Sequence, residues 1–168
     1  MNQNYRAPWS RPLRVATLLS VAVLALVVLL GVFAGPRHLL LWTVAMVYVP
    51  LLVIASAVAC MVRGYTLTDS ALEIMRPGWT TTLPLAGLKS VAGDAELFNR
   101  SWRFFGNGGL FSFTGWFWNR RLGRYRAFAT DPGRAVILTW PGRVVVITPH
   151  DPQGFIVRVR KMLAMAAG

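Results

Sequence analysis

Acidic residues are scarce in this chain of 168 residues, which carries six Asp and Glu against eighteen Lys and Arg, a net charge of +12. The stretch FFGNGGLFSFTGWFWNRRLGRYRAF, residues 104–128, holds no acidic residue at all. So strong an imbalance indicates an anionic partner, either a phosphate-rich polymer or an anionic lipid surface. A nucleic-acid partner would require a recognition motif, and the sequence has none, so we expect no nucleic-acid binding.

Cysteine and histidine are almost missing as well. The single Cys60 excludes an internal disulfide, and neither His38 nor His150 has a second His or Cys at the spacing of metal ligands. Asp94 and Glu96 form the closest carboxylate pair before the aromatic stretch, but no acid, base or nucleophile stands beside them in sequence. The sequence therefore predicts no metal, no cofactor and no catalytic residue.

Charged residues make up 14% of the chain, and they are absent from two long apolar runs, residues 15–34 and 39–62. At 1.5 Å per residue, each run is long enough to cross a hydrocarbon core of about 30 Å as a helix. Gly35 and Pro36 begin a short turn between the runs, so the two helices should form an antiparallel hairpin. The expected division is an N-terminal tail (1–14), a transmembrane hairpin (15–62) and a second domain (64–165).

The cations that flank these runs predict an orientation. Arg6, Arg11 and Arg14 precede the first run and Arg63 follows the second, whereas the turn between the runs offers only Arg37. By the positive-inside rule, both termini and the second domain then lie in the cytoplasm. A cleaved signal peptide ending with the first run is the competing interpretation, although its apolar core would be longer than the usual length of roughly 7–15 residues.

After the second run, the apolar pattern changes to the period of two that is typical of strands. Short alternating segments are separated by turns, and two Pro-Gly turns frame a hairpin near the end of the chain. Asp151 and Pro152 then suit the N-cap and the first position of an amphipathic helix. We expect strands at residues 65–68, 71–75, 80–85, 135–139 and 144–148. This order favours a small barrel or bent sheet with one helix over an open end.

A set of short motifs runs in order along this second domain. They are Gly64-Tyr65-Thr66-Leu67-Thr68, Leu72-Glu73-Ile74, Leu83-Pro84-Leu85, Gly106-Asn107-Gly108-Gly109, Gly115-Trp116-Phe117, Gly123-Arg124-Tyr125, Phe128-Ala129-Thr130 and Thr148-Pro149-His150. With the apolar hairpin before them, they resemble the bacterial pleckstrin-homology (PH)-like domains that are attached to a transmembrane hairpin. The resemblance implies a bent sheet or split barrel of about seven strands with one C-terminal α-helix, placed in the cytoplasm. It carries over no catalytic residue.

The acid-free stretch lies between the third strand and the Pro-Gly hairpin. We predict that its phenylalanines fill the core, with Phe111, Phe113 and Phe117 on one face of a strand. In the returning strand, Arg124 should share a face with Arg126. The predicted elements are a loop at 106–109, a strand over 110–119, a turn at 119–123 and a strand over 125–130.

Tryptophan beside arginine is typical of an interfacial patch, in which rings settle at head-group depth and guanidinium groups pair with phosphate. A protein partner or a purely structural role for the same hairpin are the alternatives. The candidate lipid- or partner-binding residues are Arg100, Arg103, Trp116, Trp118, Arg120, Arg121, Arg124 and Arg126.

These observations favour a non-enzymatic interaction module in a bacterial cytoplasmic (inner) membrane. Its expected partners are the membrane itself, anionic lipid head groups and a protein that the sequence does not name. An accessory subunit of a larger membrane complex is the alternative, with the aromatic hairpin or the spans buried against another protein. A membrane-embedded enzyme is disfavoured, because it would need ionisable residues within the spans and neither run has any.

Overall fold

Three long helices occur in the computed structural model, which describes residues 2–36 and 38–166. They are α1 (Arg11–Phe33), α2 (Leu40–Ala59) and α3 (Pro152–Ala166). Helix α1 begins after Ser10, whose hydroxyl accepts a hydrogen bond from the Leu13 amide at 3.3 Å, and Pro12 lies in its first turn. Arg37, which enters the orientation argument, lies outside the described residues.

Helices α1 and α2 pack side by side as the predicted hairpin. Their backbones approach closely at Gly31, where a Cβ would stand 2.6 Å from the Cβ of Met46, so a larger residue would force the helices apart. The indole nitrogen of Trp42 donates to the Gly31 carbonyl at 3.2 Å. A π-helical turn, Val44–Tyr48, precedes Pro50 in α2, where the proline cannot donate a helical hydrogen bond. Both helices are long and apolar enough to cross a membrane.

The first sheet brackets the helical hairpin in sequence, because one strand precedes α1 and the others follow α2. Its strands are β1 (Gln3–Arg6), β2 (Gly64–Leu67), β3 (Ala71–Met75) and β4 (Thr80–Pro84), paired antiparallel in that order. Strand β1 is not predicted from the sequence, because Tyr5 is its only large apolar residue. It pairs with β2 so that Tyr5 lies opposite Tyr65. Part of the predicted N-terminal tail is therefore a strand of this sheet.

The second sheet holds six strands among the described residues, in the order β5-β9-β10-β8-β7-β6. They are β5 (Ser90–Gly93), β6 (Trp102–Gly108), β7 (Phe113–Asn119), β8 (Gly123–Ala129), β9 (Val136–Trp140) and β10 (Arg143–Ile147). Neighbours pair antiparallel except β8 and β10, which run parallel. Strands β9 and β10 form the predicted Pro-Gly hairpin, and the second of them lies beside β8.

The main core lies between the two sheets and α3. The first sheet contributes Tyr65, the second Phe128 and the helix Phe155, all fully buried. Asp151 accepts a hydrogen bond from the Gly154 amide at 2.9 Å and so begins α3 as predicted. Burial of one large apolar side chain stabilises a fold by about 1.5–3 kcal/mol. Helix α3 buries Phe155, Ile156 and Val159 in this core, so it stabilises the packing of the two sheets.

A second, smaller core lies on the other side of the second sheet. The rings of Phe117 and Tyr125 stack there with centroids 5.7 Å apart, and Leu97 packs against them. The predicted fold class is confirmed: two apolar helices, a mostly-β domain and a C-terminal helix. The described residues form ten strands rather than about seven, and the additional ones are β1, β5 and β6.

Candidate binding face

Strands β7 and β8 bring arginine and tryptophan side chains together on one side of the second sheet. Their register pairs Trp116 with Arg126 and Trp118 with Arg124. Directly opposed residues of an antiparallel pair project from the same side of a sheet, so Arg124 and Arg126 share a face as predicted. The ring centroid of Trp116 lies 5.0 Å from the guanidinium carbon of Arg124 and 6.0 Å from that of Arg126, within cation–π range.

Strand β6 adds exposed rings to the same side. Trp102, Phe104 and Phe105 are 75%, 73% and 77% exposed. The pairing register sets Trp102 opposite Trp118 and Phe105 opposite Trp116, with an irregularity between residues 103 and 105. A groove of about 460 Å³ is lined by Phe104, Phe105, Trp116, Trp118 and Arg124. We call the following set the basic–aromatic face: Trp102, Phe104, Phe105, Trp116, Trp118, Arg124 and Arg126.

Burial on this side of the sheet changes along β8. Phe128 is fully buried in the main core, whereas Arg124, four residues earlier on the same side, is exposed. The opposite side of β8 buries Tyr125 in the second core. The basic–aromatic face is therefore the part of the second sheet that the main core leaves uncovered. Contiguous exposed apolar surface of this kind marks binding sites on proteins.

The turn between β6 and β7 places this face beside the apolar helices. The hydroxyl of Thr17 in α1 donates to the Gly109 carbonyl at 3.0 Å and accepts from the Phe111 amide at 3.0 Å. Ala57 of α2 and Asn107 of β6 line a common cleft. The β6–β7 turn thus contacts α1 near its start and shares a cleft with the end of α2, and these are the two helix ends that join the β domain.

Several predicted site residues lie apart from the basic–aromatic face. Arg100 pairs with Glu96 at 2.8 Å and Arg121 pairs with Asp94 at 2.5 Å, so acidic neighbours offset part of their charge. Arg120 lines a separate small cavity with these two arginines near the β7–β8 turn. These exposed pairs contribute little to stability, on the order of 1 kcal/mol or less each.

Arg103 belongs to β6 but projects from its other side, opposite Phe117. The structure thus brings four of the eight predicted site residues together: Trp116, Trp118, Arg124 and Arg126. Trp102, Phe104 and Phe105 were missed, because the glycines that follow them favoured a loop. The aromatic run directly before those glycines was the available signal for an exposed edge strand.

The predicted loop at 106–109 is wrong over most of its length, because β6 continues through Gly108. Gly106 and Gly115 lie opposite each other, with φ of 118° and 149°. A Cβ on Gly106 would stand 2.2 Å from a carbonyl oxygen of the neighbouring strand, and one on Gly115 would stand 2.1 Å from another. Glycine is required here for close approach of two strands, not for a turn.

The phenylalanines of the acid-free stretch, residues 104–128, differ in burial. Phe117 is buried as predicted, but Phe104 and Phe105 are exposed, so the expectation that the rings fill the core is wrong for them. Phe111 lies outside β7, with a positive φ of 66°, and its ring meets that of Trp9 at 6.1 Å between centroids. The predicted strand over 110–119 therefore starts three residues too early.

The basic–aromatic face offers two kinds of interacting group, guanidinium cations and aromatic rings. Within residues 2–36 and 38–166, no group of three His, Cys, Asp or Glu side chains is placed to hold a metal ion. Arg124 and Arg126 offer guanidinium donors beside tryptophan rings, an arrangement suited to anions that carry or adjoin apolar groups.

The class of protein follows from the fold: a domain of two sheets and a C-terminal helix, joined to two helices that are candidate membrane spans. Residues 63–163 match the Bacterial PH domain family, and the chain belongs to that family. The match begins just before β2 and ends within α3, so β1 and both apolar helices lie outside it. Comparisons with curated proteins and with solved structures give no match.

Proposed function

We propose that this protein is a non-enzymatic interaction module, held in a bacterial cytoplasmic (inner) membrane by α1 and α2. Both termini and the PH-like domain lie in the cytoplasm, and the basic–aromatic face binds anionic lipid head groups. PH-like domains are in general non-catalytic interaction modules, which supports the first part of the proposal.

The charges at the helix ends support the orientation. Arg6, Arg11 and Arg14 lie before or at the start of α1, and Arg63 lies just after α2, on the side of the β domain. Because β1 before the hairpin pairs with β2 after it, both helix ends are held next to the same sheet. Cations concentrated at one end of a membrane hairpin are typical of the cytoplasmic side.

The segment before the helical hairpin also argues against removal of α1 as a leader. Cleavage at the end of α1 would take away β1 and the Thr17 contact with the β6–β7 turn. The amide of His150 donates to the Arg6 carbonyl at 2.9 Å, and the amide of Ser10 donates to the Thr130 carbonyl at 3.2 Å. These contacts favour a mature protein that retains the segment.

The position of uncompensated arginines beside exposed rings carries the lipid proposal. The β6–β7 turn contacts Thr17, about 9 Å along α1 from Arg11. If α1 spans the membrane, the turn then lies near head-group depth, and the exposed rings of β6 extend from it. Tryptophan and arginine favour that depth, and each cation near an anionic surface contributes about 1 kcal/mol.

An accessory subunit of a membrane complex is the second candidate function. Strand β6 is the last strand of its sheet, and three of its rings are largely exposed. An exposed edge strand can pair with a strand of another protein. In that case the same face would be covered by protein and would not respond to lipid charge.

The two candidates are separated by a probe on the face of the full-length chain in nanodiscs. Phe104→Cys in a Cys60→Ala background would carry a polarity-sensitive fluorophore, and Ser90→Cys on the opposite edge of the sheet is the matched control. We expect the label at position 104 to shift to the blue in phosphatidylglycerol nanodiscs compared with phosphatidylcholine nanodiscs, and the shift to shrink with salt. The control label should not respond.

Charge variants complete this experiment. Changing Arg124 and Arg126 to Gln removes about 2 kcal/mol of surface attraction, so the lipid-dependent shift should largely disappear. The same emission spectrum in both lipids at low salt would contradict the lipid proposal and leave the accessory subunit as the function to pursue.

A further inference from the structure

Two arginines, one directly after a strand of the first sheet and one within the second sheet, lie next to the same aromatic ring. The guanidinium carbons of Arg76, which follows β3, and of Arg126, in β8, each lie 4.9 Å from the centroid of the Phe128 ring. The two cations are therefore separated by at most twice that distance. Phe128 is fully buried, and its carbonyl accepts a hydrogen bond from the Tyr65 hydroxyl at 2.6 Å, so the shared ring is held in place.

Neither of these arginines has an acidic partner among the described residues. Ion pairs in that part of the chain are made instead by Arg100, Arg121 and Arg134. The Nε and Nη2 atoms of Arg76 are shielded from solvent and donate to no described group. Burial lowers the pKa of the Arg76 guanidinium; the neighbouring Cys60 opposes that shift, and the charge of Arg126 adds to it. Buried donors without acceptors are costly, and the charge of Arg126 disfavours the charged form of Arg76, so one anion bound by both guanidinium groups would relieve both effects.

The pair lies near the end of α2. The amide of Arg63, four residues past that helix, donates at 2.9 Å to the carbonyl of the last residue of β3, and Arg76 comes next. The ring of Trp79, which is 47% exposed, lies 5.4 Å from Arg76, and that of Trp116 lies 6.0 Å from Arg126. Cations flanked by exposed tryptophans at the end of an apolar helix match the level of bilayer phosphates.

We propose that Arg76 and Arg126 together bind one phosphate-type oxyanion, either the phosphodiester of an anionic lipid head group or free phosphate. Each guanidinium can donate two N–H groups to phosphate oxygens. This site joins the two sheets and adds Arg76 to the basic–aromatic face. Its lipid form rests on the proposed function, whereas binding of free phosphate does not.

Anion titration of the purified full-length chain in a phosphate-free maltoside detergent tests this proposal. One arm uses inorganic phosphate, and the other uses short-chain phosphatidylglycerol below its critical micelle concentration. Calorimetry should detect one anion per chain, bound about tenfold or more weakly by Arg76→Gln and by Arg126→Gln. Arg121→Gln is the matched control, because that arginine already pairs with Asp94 and lies apart from the proposed site, and it should bind as the wild type does.

Thermal unfolding provides a second readout that does not depend on a binding signal. Saturating anion should raise the unfolding midpoint of the wild type by a few degrees, because it binds only the folded protein. It should raise the midpoint of Arg126→Gln by much less, because that variant lacks one of the two guanidinium groups. A variant that misfolds would unfold early under both conditions, in which case Arg76→Gln, which also removes one of the two guanidinium groups, replaces it.

The phosphate and lipid titrations show which source of anion the site binds. The variants show whether this site or the proposed function fails. Binding of phosphate indicates a site for a free anion, and binding of the lipid alone indicates a head-group site. If Arg124→Gln weakens lipid binding while Arg76→Gln leaves it unchanged, the proposed function stands and this inference is overturned. It is also overturned if the wild type binds neither anion.

Discussion

The hydroxyl of Thr17 in α1 donates a hydrogen bond to the carbonyl of Gly109, 92 residues later in the chain, at 3.0 Å. The same hydroxyl accepts from the Phe111 amide at 3.0 Å. A single polar group in an apolar helix thus satisfies both a carbonyl and an amide of the β6–β7 turn. Because Thr17 is itself buried, this contact fixes the β6–β7 hairpin, which carries the rings of the basic–aromatic face, relative to the helical hairpin.

Thr17→Val should release this turn. The substitution keeps the shape of the side chain but leaves a buried carbonyl and amide unpaired, at a cost of about 1–3 kcal/mol. We expect a lower thermal unfolding midpoint of the full chain in detergent and faster hydrogen exchange at residues 109–111. Ser56→Ala is the control, since that hydroxyl donates within its own helix to the Val53 carbonyl. Equal exchange at the turn in wild type and Thr17→Val would contradict the role given to this bond.

Gly115→Ala should disrupt the pairing of β6 with β7. A Cβ at this position would stand 2.1 Å from the Phe105 carbonyl oxygen, and φ is 149°, so the change forces the strands apart at a cost of about 1–3 kcal/mol or more. The tryptophans of the hairpin should then lose their fixed environment in near-ultraviolet circular dichroism. Gly78→Ala is the matched control, because no atom lies within 4 Å of a Cβ built there. An unchanged spectrum for Gly115→Ala would show that the hairpin tolerates a wider spacing.

The elements predicted from sequence are those whose patterns are local. The apolar runs, the Pro-Gly hairpin and the Asp151 cap each follow from a few neighbouring residues, and each is present. Strands β1 and β5 were not predicted, because each pairs with a strand distant in sequence, and β6 was not predicted because its glycines are typical of a turn. Strand β1 pairs across the whole helical hairpin, and the glycines of β6 read as a turn until Gly115 is known to lie opposite Gly106.

The candidate site was predictable to the same extent. Alternation along a strand puts Trp116 on the same face as Trp118, and Arg124 on the same face as Arg126, which the sequence alone indicates. That both pairs lie on one side of the sheet follows from the register of β7 with β8. The ion pair of Arg121 with Asp94 joins residues 27 apart in sequence, so the residues around Arg121 do not indicate that its charge is paired. The proximity of Arg76 to Arg126 likewise results from packing one sheet on the other.

Tyr65 should make stability depend on pH in the alkaline range. Its hydroxyl is fully buried, and burial raises its pKa to about 12 from an ordinary value of 10.0. A raised pKa in the folded state means that the neutral hydroxyl stabilises the fold fully below pH 10, and that this contribution is lost as the pH rises from 10 to 12. Denaturation midpoints of the full chain should therefore fall over this interval.

Tyr65→Phe isolates that contribution. At pH 8 the variant should be less stable by about 1–3 kcal/mol, since the Phe128 carbonyl and the Thr148 amide both lose the hydroxyl as partner. Between pH 10 and 12 the gap between wild type and variant should narrow, because the variant has no phenol at this position to ionise. A gap that stays constant up to pH 12 would mean that Tyr65 does not titrate in that range.

Tyr5→Ala tests whether β1, the strand before α1, contributes to the stability of the β domain. Tyr5 is 6% exposed, and its ring meets that of Phe155 in α3 edge to face, with centroids 5.2 Å apart. Truncating an aromatic ring in a core costs about 3–5 kcal/mol, so the unfolding midpoint of the full chain should fall markedly. Arg6→Ala in the same strand removes an exposed side chain and should change stability by no more than about 0.5 kcal/mol. Equal midpoints for the two variants would mean that β1 adds nothing to the core. A large difference would mean that the PH-like domain is completed by residues on both sides of the helical hairpin, so that a fragment starting at β2 would lack part of its own core.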